Sequence, residues 1–212
     1  MKQINTKNGI YEYKEVEFIL GTKKINREIS RDNLLAVKQL FDKHDLEFGL
    51  LYGTLLGAIR EHNFIAHDED TDIFILYENK EQLFDLLFEL RDLGFEVGRE
   101  NEALLSILKD GEYIDIYFYK KTGTKNRACE GYVLESDILE NMEEYEFLGE
   151  IFKVPKNPIE LLVKLYGKDW KIPDENGKPQ NYGLYLKIRN YIKNNFKNIF
   201  FIISWIKRKL NV

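Results

Sequence analysis

Residues 52–76 read YGTLLGAIREHNFIAHDEDTDIFIL. A Gly-Thr step opens the stretch, and a small-residue helix candidate follows it to Arg60. Asp68, Asp70 and Asp72 then stand at alternate positions, and the last leads into the β-favouring run Ile73, Phe74, Ile75, Leu76. In extended chain, alternate side chains share a face, so Asp70 and Asp72 point the same way. Two adjacent carboxylates repel each other unless a cation sits between them. Oxygen-only ligands favour Mg2+ or Mn2+.

The residues just upstream predict a strand over 46–52, ended by Gly53, and a helix over about 54–60. A strand–Gly–helix step presents free backbone N–H groups at the helix start, a natural phosphate cradle. Gly53 permits close backbone approach, and the Thr54 hydroxyl can donate to a phosphate oxygen. An ordinary tight turn with Thr54 as N-cap is the alternative. Arg60 either crosses to the phosphates or pairs with a local acid. His67, next to the carboxylates, either touches a ligand phosphate or is an exposed linker residue.

The rest of the chain reads as alternating elements. Short β segments are expected over 1–29, with Gly9 and Gly21 as punctuation. Residues 31–44 carry the apolar stripe of an amphipathic helix, with Ser30 as N-cap. Residues 79–82 form a capping box opening a helix to Leu93, with Gly94 at its C′ position. Strands are expected over 95–99 and 103–108, and Asp110-Gly111 is a two-residue hairpin signal. The following YIDIYFYK alternates, with Tyr113, Asp115, Tyr117 and Tyr119 on one face. An acid in mid-strand needs a job or faces water. Residues 120–131 read as a basic loop, either closing over phosphates or solvated, 132–144 as helix, and 145–154 as a hairpin near Gly149. Asn157-Pro158 starts a helix that ends at Tyr166-Gly167.

Two separated motifs resemble the LicD family of the nucleotidyltransferase-fold superfamily, which includes phosphocholine transferases and the fukutin-related proteins. The family pattern YGTLLGAxR is matched in full. Its IPWDDDID run appears as IAHDEDTD, with Ala66 for Pro, His67 for Trp, Glu69 for Asp and Thr71 for Ile. The second motif, YGxDWxxP, is matched by Tyr166, Gly167, Asp169, Trp170 and Pro173. The resemblance spans about residues 46–173. It implies an α+β nucleotidyltransferase-like fold, a small mixed β-sheet flanked by helices. It implies a metal pair at Asp70 and Asp72 and a third metal-binding and catalytic carboxylate at Asp115, with Asp68 retained. Tyr166 and Trp170 are either structural or wall the donor or acceptor site.

By the same resemblance, the expected function is metal-dependent transfer of a phospho-alcohol group, phosphocholine-like. The donor would be CDP-activated, and the acceptor a sugar hydroxyl of a cell-surface glycan or its lipid-linked precursor. A nucleotidyltransferase consuming an NTP and a non-catalytic nucleotide-binding or scaffold protein are the rivals.

Composition bounds these readings. With 212 residues, 44% of them hydrophobic, the chain is globular. One cysteine, Cys129, allows no internal disulfide. Neither a signal peptide nor a transmembrane helix is expected, which fits a cytoplasmic location. Residues 1–175 carry 23 basic and 36 acidic residues, whereas 176–212 carry eight basic and no acidic ones. Such an acidic body would repel a nucleic-acid backbone, so no nucleic-acid partner is expected. The expected division is a catalytic domain over 1–180, with its core in 31–175, and a basic amphipathic helical tail over 181–212. In the tail, residues 199–212 either lie on anionic membrane headgroups or dock on protein.

Overall fold

The computed structural model describes residues 1–18 and 23–173. The tail, its expected helix and its membrane contact lie outside the described residues, as do Ile19 and Gly21.

The fold is α+β around a mixed sheet. In chain order the strands are β1 (Lys2–Thr6), β2 (Gly9–Tyr13), β3 (Gly49–Leu50), β4 (Thr71–Leu76), β5 (Glu96–Glu100), β6 (Leu104–Lys109), β7 (Glu112–Thr122), β8 (Asn126–Cys129), β9 (Tyr132–Glu135), β10 (Glu143–Phe147) and β11 (Glu150–Val154). The helices are α1 (Arg27–Lys43), α2 (Tyr52–Glu61), α3 (Lys80–Asp85), α4 (Leu87–Asp92), α5 (Ser136–Glu140) and α6 (Pro158–Tyr166). The central sheet runs β3-β4-β7-β6-β5, with β8 and β9 continuing from β7. Of these neighbours only β4 and β7 are parallel. That pairing needs a crossover, which α3, α4 and the β5–β6 hairpin supply.

Three hairpins share one turn chemistry. Asp110-Gly111, Glu130-Gly131 and Leu148-Gly149 all have positive φ at both positions. Each joins directly paired residues, such as Lys109 with Glu112. This is the turn whose twist suits two antiparallel strands. β4 is buried from Thr71 to Ile75, with Ile73, Phe74 and Ile75 fully inaccessible. Against the sheet, α1 buries Leu34, Val37, Leu40 and Phe41.

Several local expectations are corrected. Asn26, not Ser30, caps α1, accepting N–H groups from Glu28 and Ile29; Ser30 is buried within the helix, its hydroxyl 3.4 Å from Glu112. The strand over 46–52 shrinks to Gly49–Leu50, and α2 begins at Tyr52 rather than Thr54. The helix over 80–93 breaks at Leu86 into α3 and α4, and Asn79 makes no side-chain cap. Residues 132–144 are strand, short helix and strand again, because the Glu130-Gly131 turn pairs β8 with β9. The basic loop over 120–131 is mostly strand. Its Arg127 is buried against Glu78, Glu140 and the Tyr119 carbonyl, at 2.7, 2.8 and 2.9 Å.

Candidate active site

The start of α2 is laced to the start of β4 at Asp72. The Leu51 N–H donates to the Asp72 carbonyl at 3.1 Å. The Asp72 N–H donates to Thr54 Oγ1 at 2.8 Å. The Gly53 N–H donates to Asp72 Oδ2 at 3.0 Å. Between extended Leu51 and this turn, Tyr52 takes a φ of +41°, a strained conformation for a bulky residue. Its buried hydroxyl is held 2.7 Å from that of Tyr119. The Thr54 oxygen and the Gly53 N–H, read from sequence as phosphate groups, therefore position a carboxylate.

Three carboxylates converge there. Asp68, Asp70 and Asp72 each offer an oxygen, and these lie within 4.8 Å of one another. A Cβ on Gly53 would sit 2.1 Å from Asp68 Oδ2 and 3.2 Å from Asp72 Oδ2. The absence of a side chain at 53 is what lets the carboxylates meet over the helix start. Burial, then Asp70, push Asp72 well above the usual carboxylate range. Burial, then Asp115, do the same to Asp70. Asp68 is also raised, chiefly by burial. Crowded oxygen donors of this kind fit a hard divalent cation, which would relieve their repulsion.

Asp115 is paired in register with Asp72 across the parallel β4–β7 contact, so the strand pairing puts it beside the cluster. Both its oxygens are engaged. Ser106 donates to Oδ1, and Arg99 Nη2 donates to Oδ2 at 2.6 Å. Among the described residues the converging triad is Asp68, Asp70 and Asp72, with Asp115 adjoining it.

The second motif comes to the same place. Tyr166, half-buried, lies near enough that Asp72 and Asp68 raise its phenol, after burial. Arg60 Nη1 donates to the Trp170 carbonyl at 3.1 Å, and Nη2 donates to Glu61 at 2.8 Å. Arg60 thus pairs with a local acid and ties α2 to the buried Trp170. His67 is half-buried, one residue before Asp68. The other histidines stand apart: His62 closes α2 and His44 Nε2 lies 3.0 Å from Glu89.

Sequence reasoning missed Arg99 and Ser106, and gave no role to Tyr113 and Tyr117. Tyr113 feels Asp70 and Asp115, and Tyr117 feels Asp72. The alternation of β7, which puts both tyrosines on the Asp115 face, was the available signal. Nothing local marks Arg99, which reaches Asp115 only through the β5–β6–β7 pairing.

This arrangement has known relatives. The nucleotidyltransferase domain of the LicD/FKTN/FKRP proteins matches residues 45–157, and the chain belongs to that family. Over 134 residues it is 36% identical to an uncharacterised protein of Rickettsia prowazekii, covering 60% of this chain and 50% of that one. It is 26% identical over 166 residues to the human ribitol-5-phosphate transferase FKTN, covering 69% of this chain and 34% of the relative. The chain thus spans half or less of the length of these curated relatives. Among solved structures, ANT(2'')-Ia in complex with adenylyl-2''-tobramycin matches with a TM-score of 0.49 at 13% identity, covering 87% of this chain and 99% of that one.

Proposed function

We propose that this protein is a metal-dependent transferase that moves a phospho-alcohol group from a CDP-activated donor to a sugar hydroxyl. The acceptor is a cell-surface glycan or its lipid-linked precursor. The observation that carries this reading is the Asp68–Asp70–Asp72 cluster, held together over Gly53 in a family that includes a ribitol-5-phosphate transferase. The transferred group is therefore phosphocholine, ribitol phosphate or a related alcohol phosphate.

Mg2+ or Mn2+ held by Asp68, Asp70 and Asp72, with Asp115 alongside, would offset charge on the donor phosphates. The chain's own groups do the rest. The α2 start, with the Gly53 N–H and Thr54 Oγ1 committed to Asp72, orients the carboxylates toward the diphosphate rather than cradling it. Arg60, Tyr166 and Trp170 form one wall, and His67 sits at the edge. The acceptor hydroxyl attacks the distal phosphorus, the bond to CMP breaks, and the hydroxyl proton passes to a carboxylate. We assign that role to Asp68, because both Asp115 oxygens are occupied. The catalytic unit is assigned to residues 1–180. No helix among the described residues is long and apolar enough to cross a membrane. Residues 199–212, apolar and then basic in sequence, are the stretch we assign to contact with anionic headgroups around a lipid-linked acceptor.

A thermal-shift panel tests the donor class. CDP-choline, CDP-glycerol, CDP-ribitol, CTP and UTP would each be added with and without Mg2+. A ligand at a hundredfold excess over its Kd stabilises the native state by about 2.7 kcal/mol. A Mg2+-dependent shift with one CDP-alcohol is expected. A shift only with free NTPs would replace the reading with a nucleotidyltransferase.

A further inference from the structure

An anionic donor and a cluster of carboxylates cannot share a site without cations on both sides. The two arginines at this site differ in what they have left to give. Arg60 has a side chain only 9% exposed, and its Nη groups serve Glu61 and the Trp170 carbonyl. Arg99 is 30% exposed and only half committed. Its Nε donates to Ser106 Oγ at 2.7 Å and its Nη2 to Asp115 Oδ2 at 2.6 Å. Nη1 makes no hydrogen bond among the described residues.

Arg99 is also built to stay where it is. The Phe18 ring lies 4.5 Å from the guanidinium carbon, and Phe18 is itself braced by Tyr113, with ring centroids 4.8 Å apart. Gly98 leaves the room for this, since a Cβ there would lie 2.9 Å from the Phe18 ring. Ser106 is wholly buried and its hydroxyl donates a hydrogen bond to Asp115. One face is stacked and two donors are anchored, so the Nη1 edge is fixed in direction. Arg99 grips Asp115, which pairs in register with Asp72, so the guanidinium sits beside the cluster.

We propose that Arg99 is a phosphate-binding residue of this site, offering its free Nη1 edge to the donor diphosphate while Asp115 and Ser106 hold the guanidinium in place. The inference rests on the donor reading above. It gives Asp115 a second task, anchoring a cation, beside any contact with metal. A planar guanidinium with a free pair of N–H groups suits a phosphate oxygen pair better than a lysine ammonium does. In the absence of donor, the same positive charge competes with a divalent cation for the carboxylates.

This competition makes the test specific. The full chain and the Arg99→Met and Arg99→Lys variants would be titrated with Mn2+ alone, followed by electron paramagnetic resonance, and with CDP at saturating Mn2+, followed by calorimetry. Loss of a charge-assisted hydrogen bond weakens binding by about 10- to 100-fold. Arg99→Met should therefore bind CDP that much more weakly, yet bind Mn2+ as tightly as wild type or more tightly. Arg99→Lys should fold with its ion pair kept, and should bind CDP at an intermediate strength. Equal weakening of Mn2+ and CDP in both variants would mark Arg99 as a structural strut and overturn the assignment. Unchanged CDP affinity in either variant would overturn it as well, leaving the donor reading standing. Failure of wild type to bind CDP with Mn2+ would remove both.

Discussion

At the scale of single residues, Gly53 and Asp70 make the sharpest demands. Gly53→Ala puts a methyl group where Asp68 Oδ2 now lies, 2.1 Å from the new carbon. We expect about 1–3 kcal/mol of destabilisation from overpacking, together with a loss of Mn2+ binding that a surface Gly→Ala change would not cause. Asp70 has the opposite effect on stability. Its pKa is raised in the folded state, so the folded protein holds the proton more tightly than the unfolded chain. Stability from this group is present below the ordinary value of 3.8 and is lost as pH rises through the raised value. Asp70→Asn should therefore melt above metal-free wild type at neutral pH, by about 2–4 °C per kcal/mol recovered. The gap should close in acid, and scanning calorimetry at two pH values would read it. The alternation of Asp70 and Asp72 was legible in the sequence because period two is local geometry. The part played by Asp68 was not. It precedes β4, in a turn where its own N–H bonds to Ile65 and its carbonyl accepts from Ile25. Its direction is thus set by tertiary contacts.

At the scale of elements, strands and turns were readable where local chemistry decides them. Asp110-Gly111 and the alternation of YIDIYFYK gave β7 and its hairpin. Glu130-Gly131 did not read as a turn, because glutamate lacks the left-handed preference of Asp or Asn, and the expected helix over 132–144 followed from that. The register of β4 against β7, which sets Asp72 beside Asp115, joins residues 43 apart in sequence and leaves no local trace. β8 carries a further consequence. Cys129 is buried near Tyr119, and burial pushes its thiol up to about 12. The folded chain thus keeps the thiol neutral where the unfolded chain forms thiolate, so stability from this group is lost as pH climbs from about 9 toward 12. Alkylation by iodoacetamide at pH 9 should be far slower for native than for denatured protein. Equal rates would mean that the β8 edge opens readily.

At the scale of the whole molecule, the two family motifs lie 90 residues or more apart in sequence and meet through Arg60 and the Trp170 carbonyl. Both motifs could be read from sequence, but their contact could not. Trp170 is 6% exposed. Trp170→Ala should cost about 3–5 kcal/mol in chemical denaturation, and should weaken donor binding by loosening Tyr166 beside Asp68 and Asp72. A denaturation midpoint equal to wild type would contradict this packing role. The charge division also belongs to this scale. On the proposed reading, an acidic body taking an anionic donor would gather its positive charge at the site, through a metal and Arg99. Donor binding should consequently depend on divalent cation more steeply than on ionic strength.

The most direct measurement is product release. CDP-choline, CDP-glycerol and CDP-ribitol would be incubated with Mg2+ and a glycan acceptor, and CMP followed by chromatography, alongside pyrophosphate release from CTP. Wild type and the Asp70→Asn and Asp72→Asn variants would be compared. We predict Mg2+-dependent CMP release from at least one CDP-alcohol, no pyrophosphate from CTP, and no turnover by either variant despite intact folding. Pyrophosphate release from CTP, or CMP release by the variants at the wild-type rate, would contradict a metal-dependent phospho-alcohol transferase built on this carboxylate cluster.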